Sequence, residues 1–306
     1  PEGFIPGHPL WYHFYPKSHE VSNRCATRLF ANALEVPGPD VDTLAEAARR
    51  ADTYVTMGAC EKRPGTTGTM FNSQLFFSPN GELIGKHQKI RPTTGERLVH
   101  ANGGRETFGT VDTEYGPMSG LICGENSNPL AIFALAGEHT RIHCMSWPPA
   151  TMLTTRHLVM ARAFAQMTKS FVVSANSCVG PQHLELMEID AEVADRGPTT
   201  DGGSAVIEPE MTTIAGPMDP HEEGIVYADC DLERSVFKKL THDFAGHYTR
   251  PDMFQVRLDR RPSELYTVVE PDDPVPATTG PEEVESAPDE DGNEAADPHV
   301  DRLIDG

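Results

Sequence analysis

The sequence predicts an α/β protein with a mixed β-sheet and helices on the outside. Segments with the apolar pattern of a strand alternate along the chain with segments that have the apolar period of a helix, which is typical of this class. Asn80-Gly81 is a strong hairpin signal between two predicted strands, so that some neighbouring strands are antiparallel. In contrast, residues 118–123 (MSGLIC) form the short apolar run of a buried strand, as in parallel sheets.

The first half of the chain predicts a loop, two helices and three strands. The opening residues 1–16 hold four prolines, which is typical of a loop. Asp40 or Asp42 is expected to cap the second helix. The predicted helices cover residues 22–36 and 43–51, and the strands cover 53–60, 71–77 and 82–90.

The second half predicts more strands, with helices between them. Pro129 in a first turn, after possible caps at 126–128, indicates the start of a helix. The predicted helices are 129–138, 154–168 and 232–240. The further predicted strands are 141–145, 170–174, 203–208, 212–215 and 224–229.

Charge divides the 306 residues into a body, residues 1–269, and an acidic tail, residues 270–306. The tail carries −12 of the net charge of −21, holds no aromatic residue, and is therefore predicted to be disordered. It acts either as an interaction segment or as a solubilising end, and we favour the second. An acidic chain without a basic face argues against nucleic acid and anionic membranes as partners. No apolar run is long enough to span a bilayer, and no secretory signal is evident.

Six scattered cysteines without a CxxC pair predict reduced thiols and a cytoplasmic protein. The sequence contains neither the Gly-rich nucleotide-binding motifs nor GxSxG, so nucleotide binding and serine hydrolysis are not supported. His139 and His143 are spaced like metal ligands, but the glutamate of HExxH is missing and the segment has the pattern of a strand. We therefore expect no metal site.

Cys123 is the candidate for chemistry. A buried strand ends there, and a helix starts a few residues later, which is the layout of a nucleophile elbow. The positive end of the helix dipole is expected to lower the pKa of the thiol. A buried structural cysteine at a strand end explains the same pattern. By themselves, Lys89 and Glu96 are typical surface charges, and the position of Glu2 in an apolar loop indicates no function.

Five motifs in order resemble the nitrilase family of the carbon–nitrogen hydrolase superfamily. They are PEGFIPGHPLW, GKHQKIRPTTGER, GLICGENSNPL, HCMSWPP and GHYTRPDMF, and they extend over roughly residues 1–258. The resemblance implies a four-layer αββα sandwich. It also implies a strand–helix–strand unit before the first motif, which we expect to be missing here from the hydrolase domain, residues 1–269.

The resemblance further implies a catalytic set of Glu2, Lys89 and Cys123, with Glu96 holding the lysine or the first glutamate in place. Cys123 attacks the nitrile carbon, Glu2 is the general base, and Lys89 stabilises the negative charge that develops on nitrogen. A thioimidate and then a thioester form, and the products are a carboxylic acid and ammonia. No metal or organic cofactor is implied.

Three more positions are expected to bind the substrate. His8 lies where relatives often have an aromatic residue, Trp147 is expected to line the pocket, and Gly124 replaces a tryptophan found in many relatives. Partners implied by the resemblance are a small nitrile and further copies of the chain, as a homodimer or a larger helical assembly. Two alternatives stay open: the same residues acting on an amide or releasing an amide, and an inactive homologue.

Overall fold

The computed structural model describes residues 1–149, 153–195 and 202–262. The predicted acidic tail, residues 270–306, lies outside the described residues. Within the described part, the strands form two sheets and the longer helices lie beside them. The helices are α1 (Glu20–Asn32), α2 (Pro39–Ala51), α3 (Pro129–Gly137), α4 (Leu153–Thr168), α5 (Pro181–Leu186), α6 (Ala191–Ala194) and α7 (Glu233–Thr241).

The first sheet is an antiparallel meander of β1 (Val55–Lys62), β2 (Met70–Phe77) and β3 (Leu83–Gln88). The turn at Asn80-Gly81 joins β2 to β3, as predicted, and Gly81 has the positive φ of 81° that the turn requires. All eight residues of β2 are buried, because it lies between two strands and is covered on both faces.

The second sheet has six strands in chain order: β4 (Thr110–Val111), β5 (Met118–Ile122), β6 (Ile142–Trp147), β7 (Phe171–Asn176), β8 (Ala205–Ile207) and β9 (Thr213–Ala215). β5, β6 and β7 pair in parallel, and the remaining pairs are antiparallel. The predicted mixed sheet is thus confirmed. Its parallel centre brings the carboxyl ends of β5 and β6 to the same edge.

The two sheets face each other, and helices cover their outer faces. Gln74 on β2 donates hydrogen bonds to the Cys144 carbonyl and the Ser146 hydroxyl on β6, so these faces are in direct contact. On the outer side of the first sheet, α2 packs against Leu75 and Phe77. Helices α3 and α4 pack on the second sheet in the largest apolar cluster, around Phe164. The αββα sandwich expected from the resemblance is confirmed.

Two local predictions were wrong. Helix α2 begins at Pro39, with Gly38 as its N-cap, and neither Asp40 nor Asp42 caps it. Both aspartates instead lie in the first turn, where the helix dipole favours negative charge. Residues 224–229 form no strand, because their apolar side chains have no sheet to pack on, and Ile225 is 75% exposed.

Among the described residues, no helix combines the length and the apolar character needed to cross a membrane.

Candidate active site

Cys123 lies at the carboxyl end of β5, where the chain turns sharply. It is the first residue of a 3-10 turn, Cys123–Ser127, and has a φ of 54°. Such a left-handed conformation is unfavourable for a residue with a side chain, and it is found where a site holds a reactive group in a fixed direction. The local layout therefore matches the predicted elbow, with a 3-10 turn before α3.

Asn126 holds this turn in place. Its amide group donates to the carbonyls of Leu121, at 3.1 Å, and of Cys123, at 3.0 Å. Its oxygen lies 2.9 Å from Nε2 of His143, whose Nδ1 lies 2.7 Å from the hydroxyl of Ser119. Both ring nitrogens of His143 are thus used within the protein. Among the described residues, no group of three histidine, cysteine, aspartate or glutamate side chains is placed to hold a metal.

Glu2, Lys89 and Glu96 form one buried charged cluster. Nζ of Lys89 donates to Oε1 of Glu2 at 2.7 Å and to Oε2 of Glu96 at 2.5 Å. All three side chains are about 1% exposed, so water does not screen their charges. The lysine follows β3, and the backbone N–H of Glu2 donates to the carbonyl of Trp147 at the end of β6. Residues that are distant in sequence therefore meet between the two sheets.

Asn72 on β2 connects the two carboxylates of this cluster. Its side-chain amide donates to Oε1 of Glu2 at 2.7 Å and to Oε1 of Glu96 at 2.6 Å. His100 adds a further contact, with Nδ1 at 3.1 Å from Glu96. Oε2 of Glu2 is buried and has no hydrogen-bond partner among the described residues. Oε1 of Glu2 is thus held by Asn72 and Lys89, and Oε2 is available to accept a proton or a hydrogen bond.

The two carboxylates differ in their pKa. Burial raises the pKa of Glu2 to about 7, against the opposing effect of Lys89. Burial acts in the same sense on Glu96, but its bond to His100 and the charge of Lys89 outweigh it, so the pKa of Glu96 lies well below its usual range. Burial lowers the pKa of Lys89, but Glu2 and the other negative charges raise it by more, so that the pKa lies above its usual value. Glu96 and Lys89 are therefore permanently charged, and Glu2 titrates near neutrality.

The predicted lowering of the Cys123 pKa was wrong. Burial and the nearby negative charge of Glu2 raise the pKa of the thiol, while Lys89 and the Gly124 backbone N–H lower it by less. A five-residue 3-10 turn is a weak source of helix dipole compared with the loss of hydration. Cys123 is therefore a thiol at rest, and it needs a base before it can attack.

The three predicted substrate-binding residues lie in different environments. Nδ1 of His8 lies 4.0 Å from Oε1 of Glu2, and Nε2 lies 3.0 Å from the Tyr12 hydroxyl. Burial lowers the pKa of His8 to about 3, so its ring is neutral. Gly124 is exposed, and a Cβ there meets nothing within 4 Å.

Trp147 is fully buried in the apolar cluster of the second sheet, against which Cys123 also packs. Its indole N–H has no hydrogen-bond partner among the described residues. The indole thus belongs to the core behind Cys123. Its predicted role as a pocket wall stays a prediction.

A cavity of about 720 Å³ lies beside the cluster. His8 borders it, together with the end of β7 and residues 202–206 and 222–226, but Glu2, Lys89 and Cys123 do not line it. This cavity is therefore not where the reactive groups are. The hydrogen-bonded charges and the strained turn define the candidate site instead.

The sequence analysis missed Asn72, His100 and Asn126. Asn126 and Glu125 were inside a quoted motif, and their positions just after Cys123 were a usable signal. Asn72 offered a weaker signal, because it is one of three consecutive polar residues in a predicted strand. Its contacts with Glu2 and Glu96 were not predictable, because they depend on how the strands pair in the folded protein.

A family model described as carbon–nitrogen hydrolase matches residues 1–237 of this chain. The chain therefore belongs to the carbon–nitrogen hydrolase family, and it is a hydrolase of carbon–nitrogen bonds.

Curated relatives carry the name nitrilase. "Nitrilase 2" from an unknown prokaryotic organism is 34% identical over 275 residues, covering 89% of this chain and 85% of that protein. "Nitrilase 3" of Arabidopsis thaliana is 34% identical over 276 residues, covering 87% of this chain and 78% of that protein. The resemblance that the five motifs predicted is confirmed.

Solved structures agree on the fold. A carbon–nitrogen hydrolase from Helicobacter pylori G27 superposes with a TM-score of 0.61 at 19% identity, covering 79% of this chain and 80% of that one. Nit3 of Saccharomyces cerevisiae gives a TM-score of 0.59 at 21% identity, covering 74% of this chain and 78% of that one.

Proposed function

We propose that this protein is a nitrilase that hydrolyses an organic nitrile to a carboxylic acid and ammonia. The observation that carries the proposal is the buried cluster of Glu2, Lys89 and Glu96, whose charges act on the thiol of Cys123 at a strained turn. The names of the curated relatives support a nitrile as the substrate.

In the first step, Glu2 removes the proton of the Cys123 thiol as the sulfur attacks the nitrile carbon. A pKa of about 7 suits this role, because a base is most effective when its pKa is close to the working pH. The new carbon–sulfur bond turns the triple bond into the double bond of a thioimidate, and the nitrogen receives the proton. The unpartnered Oε2 of Glu2 is the oxygen assigned to this transfer.

In the second step, Glu2 takes a proton from water, which adds to the thioimidate carbon. The nitrogen receives this proton and then the proton of the new hydroxyl group, the carbon–nitrogen bond breaks, ammonia leaves, and a thioester remains. A second water molecule hydrolyses the thioester, which releases the acid and restores the thiol. The covalent intermediate divides a difficult hydrolysis into easier steps.

Lys89 stabilises the negative charge that develops on the substrate nitrogen. It is permanently protonated and buried, so its charge acts in a medium of low polarity and is worth more than in water. The backbone N–H of Gly124, which interacts with the sulfur of Cys123, is a second donor at this position. Glu96 keeps the lysine in place through a charge-assisted hydrogen bond.

His8 and Gly124 are assigned to substrate binding. Neutral His8 lies next to Glu2 and borders the cavity, so it is placed to contact the substrate where it meets the base. The open space at Gly124 favours a bulky substituent on the nitrile. Trp147 supports the Cys123 side of the site from the core.

We also propose that copies of the chain associate. Large apolar side chains are exposed on α7 and in the segments around it, which is typical of an interface. They include Ile225, Tyr227, Phe237, Leu240, Met253 and Phe254. A monomer in analytical ultracentrifugation contradicts this part of the proposal. The six free thiols fit the predicted cytoplasmic location, which stays a prediction.

The experiment is to incubate the protein with a panel of aliphatic, aromatic and arylacetonitriles and to measure ammonia and acid. The corresponding amides, run as a second panel, distinguish a nitrilase from an amidase. Mass spectrometry of intact protein during slow turnover is expected to show an adduct on Cys123. Equal activity of the wild type and Cys123→Ala contradicts the proposal and favours an inactive homologue with a contaminating activity.

A further inference from the structure

We infer that Glu125 is a positioning residue that fixes the distance between Cys123 and Lys89. This inference rests on the proposed function, and it assigns a task to a carboxylate that the mechanism does not use. Glu125 lies two residues after Cys123 in the turn, and its side chain is 6% exposed.

One carboxylate holds the neighbours of both reactive residues. Oε1 of Glu125 accepts a hydrogen bond at 2.7 Å from the backbone N–H of Ile122, the residue before Cys123. Oε2 accepts one at 2.9 Å from the backbone N–H of Ile90, the residue after Lys89. Each bond therefore ends one residue, about 3.8 Å of chain, from a reactive side chain.

His87 fixes the carboxylate itself. Its Nε2 lies 2.5 Å from Oε1 of Glu125, and its ring is 2% exposed at the end of β3. The ring also packs edge-on against Phe108, with the ring centres 6.1 Å apart. Glu125 is thus tied to β3, to the chain just after β3, and to the end of β5.

These contacts cross the space between the two sheets. Cys123 directly follows β5 of the second sheet and Lys89 directly follows β3 of the first, so their separation depends on how the sheets are held together at this edge. Hydrogen bonds from Lys89 to Glu2 and Glu96 hold the ammonium. None of them holds the Cys123 turn. Glu125 supplies that link, and an error of about 1 Å in such a distance reduces catalysis about 10²-fold.

The test compares Glu125→Asp and Glu125→Gln with the wild type. The aspartate keeps the charge but is one methylene shorter, so it cannot reach both backbone donors. The glutamine keeps the length but has only one accepting oxygen. Glu114→Gln, at an exposed position in the turn before β5, is the matched control. Circular dichroism and thermal melting check that each variant folds.

We expect kcat to fall about 10²-fold in both variants with KM within about twofold, because misplacement affects the transition state more than binding. The control retains the wild-type kcat. A folded Glu125→Asp variant with wild-type kcat overturns the inference. Failure of both variants to fold also overturns it, because the carboxylate then serves the whole fold.

A second readout does not depend on nitrile turnover. The rate of Cys123 alkylation by iodoacetamide at one fixed pH, followed by peptide mass spectrometry, reports how readily the thiol forms its thiolate. In Glu125→Asp this rate is expected to fall about tenfold, because Lys89 lies farther from the sulfur and stabilises the thiolate less. An unchanged rate contradicts the inference. If the wild type hydrolyses no nitrile but the alkylation rate falls in the variant, the proposed function fails and the positioning role stands.

Discussion

Replacement of Asn72 by leucine tests whether the pKa of Glu2 controls activity. Leucine has the same branching as asparagine, with two methyl groups in place of the amide oxygen and nitrogen, but it cannot donate a hydrogen bond, so both carboxylates lose a buried donor. A hydrogen bond to a charged group contributes about 1.5–3 kcal/mol. Because Asn72 stabilises the ionised form of Glu2, its loss raises the pKa of that carboxyl.

The size of the effect follows from these values. A loss of about 1.4 kcal/mol corresponds to one pKa unit, which moves Glu2 from about 7 to about 8. A general base works only when it is ionised. At pH 7, about half of the wild-type molecules and about one in eleven variant molecules have ionised Glu2, which predicts an approximately fivefold lower kcat/KM. Above about pH 9, the two proteins converge.

The assay is the pH dependence of kcat/KM, measured as ammonia release from one nitrile. Asn102→Leu, at an exposed position, is the control and is expected to follow the wild-type curve. Glu96→Gln is the opposite perturbation, because the negative charge of Glu96 raises the pKa of Glu2. Its acidic limb is expected to move to lower pH. An acidic limb that stays in place in Asn72→Leu, or moves to lower pH, refutes the assignment of Glu2 as the base.

Three further predictions concern the site and its supports. Gly124→Trp fills the open space beside Cys123 and should raise the ratio of kcat/KM for small over bulky nitriles; an unchanged ratio contradicts it. Lys89→Met leaves Glu2 and Glu96 without their shared cation, which should abolish ammonia release and lower unfolding free energy by about 3–5 kcal/mol in urea. Leu121→Ala opens the fully buried core below the turn and should lower the free energy of unfolding by about 2–5 kcal/mol; a smaller loss is evidence against tight packing there.

Much of the fold was predictable because its elements have strong local signals. For the helix predicted at 154–168 and the strand predicted at 71–77, both predicted ends lie within one residue of the observed ends. Segment 224–229 failed for a tertiary reason. Its apolar residues have the composition of a strand, but a strand exists only when another strand pairs with it, and this segment has no such partner in the described sheets.

The site was predictable in part, for a different reason. Glu2, Lys89, Glu96 and Cys123 were predicted from the resemblance, and the structure brings the first three into direct hydrogen bonding. The pKa values were not predictable from sequence, because burial dominates them and burial is a property of the assembled sheets. The erroneous expectation for Cys123 shows this, since a local dipole argument left out the cost of removing a thiolate from water.

The charge balance of the cluster explains why one proton controls it. Glu2, Glu96 and the Cys123 thiol are three acids around one cation, and the buried site does not tolerate three negative charges. Glu96 takes the permanent charge opposite Lys89, because His100 and Asn72 also bind it. Glu2 and the thiol then cannot both be ionised. Near neutral pH the carboxyl of Glu2 can lose its proton, whereas the thiol of Cys123 keeps its proton. In the proposed reaction, a nitrile carbon that approaches the sulfur reverses that preference, because the bond to carbon removes the negative charge from sulfur as Glu2 accepts the proton.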